Sequence, residues 1–528
     1  LQAQQYKNKN QNFFMNLNFK EYKTSQGEVI LYVGTPNLEK LEELSKGYGD
    51  IWHSSFEQGY KNAFPDLVYQ TFVFFWFIND FDNLDECISW RLNPNHFAVR
   101  KSVWDLLGGF DNDFESIQLA AFDFAYNAVR NRGAIPLYVK GLFDVSEKET
   151  ITISTKDRYV FFRKNFRMAH SIFMLYRKGL WKPTEWKAFL GAKNKYKQRP
   201  IPTVIPPRKL DEIKGNPTVS YIIPTMMRQD FTLNLMEDLK KQTYLPTQVI
   251  VVDATPESSR DESLYNSANY PFEVIFKWQT TKGSCRARNE AIDLCTGDYI
   301  VFGDDDIRVE TDFIENHIRL LQTYGAGACN GLDIQADHQK QTLDDLKVKL
   351  DNYPFERWYV GASQSFSNAN SCVKREFVTE VVGNDINYDG GYGEDSDFGI
   401  TLTKIGVPVL YNPFSTNLHL KPPVGGYRFW GSQAKIMGKK RKTQPWELDT
   451  PVKNIRPVPS PTIMYQIHKQ FTPQQFIEYK HKYFVMYLFK GSKWSIPLKL
   501  IKLPYRMMQF NKSVFYAKKL VQLGKRTK

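Results

Sequence analysis

Short apolar runs alternate with amphipathic stretches most regularly through residues 216–425. Residues 219–224 (VSYIIP) form a continuous apolar run of strand length, and 231–242 follow with helical spacing. Gln248–Asp253 (QVIVVD) is a second such run and ends in a carboxylate. Strand, helix, strand at this interval predicts a βαβ unit, and hence a parallel sheet with its ligand crevice at the carboxyl ends of the strands. Asp253 would sit on that rim. Downstream, KGSCRARNEAIDLCTGDYIVFGDDDIRV predicts a helix, a Gly-Asp turn, a strand YIVF and the triplet Asp304-Asp305-Asp306.

The rest of the chain is patterned less clearly. Short apolar runs and turns fill residues 27–150, where 72–78 (FVFFWFI) reads as a buried strand. A helical stretch then leads into RPIPTVIPPRK, a Pro-rich basic segment with the character of a linker. The pattern divides the chain into 1–150, a helical and Pro-rich 151–215, a central α/β domain 216–430, and a basic amphipathic region 431–528.

Composition narrows the class. Of 528 residues, 42% are hydrophobic and 24% charged, ordinary for a chain with folded cores. The five cysteines are scattered with no Cys-x-x-Cys pair, which argues against a disulfide framework or structural zinc and for a reducing compartment. No apolar run reaches the length of a membrane-spanning helix, and the polar opening QAQQYKNKNQN has no signal-peptide pattern. These features lead to the expectation of a cytoplasmic location, peripheral on the cytoplasmic membrane face.

The net charge of +13 is concentrated. Residues 480–528 hold 13 Lys or Arg and no Asp or Glu, interleaved with side chains such as Trp494, Ile501 and Tyr505. Basic and aromatic residues together suit an anionic membrane surface, where rings settle at headgroup level and cations meet phosphates. A helical extension packed on the body would read the same way. No nucleic-acid motif accompanies the charge, so no nucleic-acid partner is expected.

Three consecutive carboxylates after a buried strand are costly without a compensating cation. A divalent ion such as Mn²⁺ or Mg²⁺ offsets the repulsion and binds through few carboxylates plus substrate phosphates. An acidic surface turn is the plain alternative. A second acidic group, Glu394-Asp395-Ser396-Asp397, follows the glycine-rich DGGYG. It is either a helix N-terminus rich in acids or the source of a general base.

Pro224-Thr225, the VVD strand, Ala287-Arg288-Asn289, the FGDDD turn and GGYGEDSDFG, in that order, resemble the family 2 inverting glycosyltransferases. The resemblance covers about 216–425. It implies a GT-A fold, a Rossmann-like mixed sheet that binds nucleotide-diphospho-sugars. It places Pro224, Thr225 and Asp253 at the nucleotide and Arg288 at the nucleotide or its phosphates. Asp304 and Asp305 would line the donor site, with Asp304 and Asp306 as the ends of an Asp-x-Asp metal element. Asp395 would be the catalytic base, with Glu394 the next candidate and Asp397 anchoring the following helix. His419 occupies the place of a metal- or diphosphate-binding histidine in many members. Lys421, Arg428 and the basic stretch 438–446 could add charge or a lid. Two departures, VVDAT for VVDDGS and Gly303 for a larger residue, bear on nucleotide preference.

The N-terminal part repeats this motif without its chemistry. Val99-Arg100-Lys101 matches Val373-Lys374-Arg375, Gly109 matches Gly383 at equal spacing, and Phe122-Asp123-Phe124 falls on Ser396-Asp397-Phe398. Ala120 and Ala121 then stand for Glu394 and Asp395. A degenerate GT-A-like domain is expected there, with Asp80-Phe81-Asp82 in a loop. The function implied by the resemblance is metal-dependent transfer of a sugar, from a nucleotide-sugar (UDP by family habit) to a glycan or lipid-linked glycan acceptor. The competing readings are a non-catalytic glycan-binding scaffold and a nucleotidyl- or phosphoryl-transfer enzyme.

Overall fold

The computed structural model describes residues 17–528 except 74, 82, 145–147, 201–203, 280, 421, 423–424 and 428–442. Two compact units divide the chain. The first comprises Leu1–Arg208, Trp358–Ala362 and Glu478–Val485; the second comprises Lys209–Arg357, Ser363–Ile477 and Met486–Lys528. The division falls inside the Pro-rich segment, so the helices that precede it group with the first unit.

The first unit runs β1 (Lys20–Lys23), β2 (Val29–Val33), α1 (Leu38–Ser45), β3 (Ile51–His53), α2 (Pro65–Thr71), β4 (Glu86–Ile88), β5 (Phe97–Arg100), α3 (Lys101–Leu107), α4 (Ile117–Asn127), β6 (Pro136–Val139), α5 (Thr155–Asn165), α6 (Met168–Lys178) and α7 (Pro183–Lys195). Its sheet has the order β1-β2-β5-β3-β6-β4. Trp52, Trp90 and Tyr126 fill its core. Phe72 and residues 75–78 are buried as expected, but the described residues of this run form no strand. Pro65 at the first helical position starts α2, and the chain then turns through a 3₁₀ segment, Trp76–Ile78. An uninterrupted apolar run reports burial and leaves the backbone conformation open.

The second unit runs β7 (Val219–Thr225), α8 (Gln229–Leu239), β8 (Gln248–Asp253), β9 (Glu273–Trp278), α9 (Ser284–Ile292), β10 (Tyr299–Gly303), β11 (Ile307–Val309), α10 (Phe313–Thr323), β12 (Ala328–Gln335), α11 (Leu343–Asp351), β13 (Asn370–Lys374), α12 (Arg375–Glu380), α13 (Glu394–Lys404), β14 (Val409–His419), α14 (Pro461–Gln470), the two ends of α15 (Pro473–Phe489), whose residues 478–485 group with the first unit, and α16 (Ile496–Leu523). Its strands lie in the order β11-β14-β12-β13-β10-β7-β8-β9. β10, β7, β8 and β9 are parallel, whereas β13 is antiparallel to both β10 and β12. β7, β8 and β10 are buried along their whole length, which is why each reads as a continuous apolar run.

The basic C-terminal region is divided in its packing. In the far half of α16, Phe510, Tyr516, Ala517 and Leu520 are buried, and the Tyr516 hydroxyl donates to the Thr450 carbonyl at 2.9 Å. Beyond the helix, Asn387 Nδ2 donates to Gly524 O at 2.6 Å and Arg526 Nε to Asn387 Oδ1 at 2.8 Å. This stretch is therefore part of the second unit's core, whereas the segment around Trp494 is exposed.

Candidate active site

The sheet order brings together residues far apart in sequence. β10 ends at Gly303 and delivers Asp304-Asp305-Asp306, after which the chain returns as β11. β11 pairs antiparallel with β14, setting His419 opposite Ile307, and Leu420 N donates to Asp306 O at 2.8 Å. One oxygen each from Asp304 and Asp306 and one His419 ring nitrogen thus lie within 4.8 Å of one another. Gly303 is required here because the Tyr221 ring and hydroxyl occupy the space a Cβ would take. The departure at Gly303 is thus balanced by a buried tyrosine on the neighbouring strand.

Each acid of the triplet has a different partner. Asp304 accepts from Arg288 Nη2 at 2.6 Å. Asp305 is buried, accepts from the Thr225 hydroxyl at 2.8 Å and pairs with Arg228 at 3.0 Å. Asp306 pairs with the same Arg228 nitrogen at 2.9 Å and with His419 Nε2 at 3.3 Å. Burial pushes the Asp305 carboxyl above its ordinary value, against the pull of Arg228. Burial also opposes charge on His419, but hydrogen bonds to Asp306 and Asp333 outweigh it and push the imidazole up to about 11. The His419 proton therefore holds positive charge among these carboxylates.

Pro224, Thr225 and Asp253 lie at the carboxyl ends of neighbouring parallel strands. Pro224 and Thr225 end β7, and Asp253 ends β8, paired with Thr225 in register. Asp253 is fully buried, accepting from Thr255 N at 2.7 Å and from the Tyr265 hydroxyl at 3.2 Å. Burial raises its carboxyl. Tyr427 closes over this edge, its hydroxyl donating to Thr225 O at 3.0 Å.

Arg288, on α9, links the two halves of the site. The charges of Asp304, Asp395 and Glu394 raise its pKa although burial works the other way. Its Nε and Nη1 are buried with no hydrogen-bond partner among the described residues, so two donors remain for an anion. Asp389 positions the helix that carries it. The Asp389 carboxylate accepts from Cys285 N at 2.8 Å, at the start of α9, where negative charge is favoured. Gly283 leaves room for that carboxylate, which would collide with any Cβ there. Burial pushes Asp389 up to about 6, with Cys285 and Arg286 opposing.

Asp395 and Glu394 open α13, and Asn368 Nδ2 donates to Asp395 Oδ1 at 2.5 Å. Asp397, in the same first turn, is buried in a clamp with Lys469 at 2.7 Å, Gln470 and the Tyr388 hydroxyl. Lys421, Arg428 and residues 438–442 of the basic stretch lie outside the described residues, as does Asp82. Asp80 lies in a loop, paired with Arg91 at 2.6 Å.

Four contributors were not anticipated: Arg228, Asp333, Asn368 and Tyr427. Arg228 follows β7 directly, and a cation next to a strand that faces three acids was the available signal. Asp333 reaches His419 Nδ1 at 3.2 Å only because β12 runs parallel to β14, a pairing with no local sequence mark.

An open mixed sheet with Asp304, Asp306 and His419 gathered at its strand ends is the GT-A fold. Residues 220–358 match the family model described as Glycosyl transferase family 2, and this segment belongs to that family. WcaA of Escherichia coli K12, provisionally named a colanic acid biosynthesis glycosyl transferase, is 33% identical over 95 residues, 18% of this chain and 34% of WcaA. YibD of the same organism, an uncharacterized glycosyltransferase, is 34% identical over 92 residues, 17% of this chain and 26% of YibD. The matches therefore span about a third and a quarter of these relatives. Among solved structures, a mannosyltransferase from Pyrobaculum calidifontis in complex with GDP-Man and Mn²⁺ is 17% identical, covering 59% of this chain and 89% of that one with a TM-score of 0.33.

Proposed function

We propose that the second unit transfers a sugar from a nucleotide-sugar, with UDP the favoured nucleotide, to a glycan or lipid-linked glycan with inversion at the anomeric carbon. The observation that carries this reading is the placement of Arg288, with Asp304 at one end and the charges of Asp395 and Glu394 nearby. A diphosphate held by the free Arg288 donors would lie beside the Asp304, Asp306 and His419 group. Two carboxylates and an imidazole form a set that Mn²⁺ or Mg²⁺ can complete with diphosphate oxygens. When bound, the ion supplies Lewis-acid neutralisation of the leaving diphosphate.

The chain's own residues do the rest. Asp253 and Thr225 form the rim for the nucleotide, and Asp305, fixed by Thr225 and Arg228, holds the triplet in place. Asp395, oriented by Asn368, takes the proton from the acceptor hydroxyl as that oxygen attacks opposite the diphosphate. Glu394 is the alternative base. The basic C-terminal region brings this chemistry to an anionic membrane surface on the cytoplasmic side.

The deciding experiment is nucleoside diphosphate release from UDP-, GDP- and dTDP-sugars, with Mn²⁺ and then with chelator. Metal-dependent release from one donor is expected. Silence across the panel, together with no metal-dependent donor binding, would turn the reading to a glycan-binding scaffold.

A further inference from the structure

We propose that the turn joining α15 to α16 is the surface by which this chain docks on an anionic bilayer. It sharpens the membrane reading above and is independent of the transferase chemistry. At this turn Trp494 is 94% exposed, Ile501 77% and Phe489 65%. Trp494, Leu498, Ile501, Tyr505 and Met508 recur at alternating intervals of four and three residues, which places them on one face of the helical turn and α16. All five are exposed.

Cations flank the stripe. Lys499, Lys502 and Arg506 follow helical spacing of their own beside it, Lys490 lies across the turn, and residues 479–528 contain no Asp or Glu. Lys499 Nζ donates to the Leu488 carbonyl at 3.5 Å, and the Arg506 guanidinium lies 5.3 Å from the centre of the Tyr487 ring. These contacts tie the end of α15 to α16, so the stripe is presented on a closed hairpin. Aromatic and aliphatic side chains at headgroup depth with cations beside them match an anionic interface. No helix among the described residues is long and apolar enough to cross a membrane, so the contact is interfacial. Beyond Met508 one face of α16, with Phe510, Tyr516 and Leu520, is buried in its own unit, while Phe515 on another face is 44% exposed.

This division determines the experiment. Deleting 480–528 would strip buried Phe510, Tyr516 and Leu520 and confound folding with docking, so point variants are needed. The first unit offers a comparator in its α6–α7 turn, where Trp181 is 80% exposed between Lys178 and Lys182. The full chain, W494E/I501E and W181E are floated with vesicles of phosphatidylcholine, with and without phosphatidylglycerol, at low and raised salt. Wild type is expected to float only with anionic vesicles and to be released by salt. W494E/I501E is expected to lose about tenfold or more in vesicle affinity with unchanged circular dichroism and melting temperature, and W181E to lose less. Wild type that never floats would overturn both this proposal and the membrane reading. Wild-type flotation retained in W494E/I501E would overturn this proposal alone. Light scattering that shows a wild-type dimer dispersed by W494E/I501E would make the stripe a self-association face and would also overturn it.

Discussion

In the second unit β10, β13, β12, β14 and β11 lie side by side; in the first, β2, β5, β3, β6 and β4 do. Each of the four neighbouring pairs has the same sense in both: antiparallel, antiparallel, parallel, antiparallel. The helices that follow the second strand also correspond. Gly109 after α3 has φ +69° and Gly383 after α12 has φ +68°, the left-handed turn that glycine adopts without strain. Two residues on, Asp111 and Asp385 begin equivalent clamps. Arg199 joins Asp111 to Asp123, the latter at 2.8 Å, as Lys469 joins Asp385 to Asp397 at 2.8 and 2.7 Å.

The chemistry diverges on this shared frame. Val139 lies opposite Glu86 where His419 lies opposite Ile307, and Lys140 N donates to Asp85 O at 2.8 Å as Leu420 N does to Asp306 O. The first unit therefore has a valine in the histidine position and pairs its remaining acid, Asp85, with Lys140 at 2.9 Å. Ala120 and Ala121 stand for the acids that open α13. β1 takes the place of β7 but runs antiparallel, and β8 and β9 have no counterpart among the described residues. The edge strand also enters at a different point, β4 following β3 whereas β11 precedes β12. The first unit thus keeps the frame and its clamp and has no counterpart of β8 and β9 among the described residues. Support and chemistry are separable in this fold.

The largest test of that separation concerns the base. Asp395→Asn is expected to lower transfer about a thousandfold while donor binding, measured by titration, is retained. Ala121→Asp, which restores an acid to the first unit, is expected to recover none of the loss in D395N/A121D, because no donor-binding strands accompany it. Measurable recovery there would break the comparison.

The clamps come next. Removing either cation leaves two acids without it, Asp397 and Asp123 being buried in each case. Lys469→Met and Arg199→Met are each expected to cost about 3 kcal/mol, read by denaturant unfolding of the affected unit. Only K469M should also reduce donor turnover, because its clamp holds the first turn of α13. Equal loss of turnover in R199M would mean that the first unit's clamp supports the chemistry as well.

Much of this frame could be read from the chain. The βαβ start was legible because β7 and β8 are buried on both faces, which leaves unbroken apolar runs. Asp304, Asp306 and His419 were expected together through the family resemblance, and the structure brings them within reach of one another. The repeat was visible through Gly109, Asp123 and the alanines that replace the acids. What escaped depends on strand pairing. Asp333 meets His419 through a parallel register, Gly303 answers to Tyr221 on another strand, and the different edge-strand connection has no local pattern. The run 72–78 misled because burial alone does not choose between strand and helix. For the C-terminal region the sequence leaves a membrane surface and a packed extension open, and the structure shows both exposed and buried parts.

Asp333 provides the finest test, since the first unit has Val139 in the position of His419. It meets His419 Nδ1 and is itself fixed by Asn417 Nδ2 at 2.7 Å, an arrangement that would aim Nε2 at a bound ion. With His419 pushed up to about 11, the free protein carries a proton there at neutral pH that a metal must displace. Mn²⁺ affinity is therefore expected to rise with pH, with about one proton released per ion, measured by calorimetry in buffers of different ionisation enthalpy. His419→Ala should release none. Asp333→Asn acts in two opposing ways: it weakens proton competition by lowering the imidazole pKa, and it loosens the ring's aim, which costs about tenfold in metal affinity. Proton competition fades as pH rises, so the D333N deficit should widen toward alkaline pH. A deficit that stayed constant with pH would show that Asp333 does not set the proton affinity of His419, and no deficit at alkaline pH would show that it fills space beside His419 without orienting it.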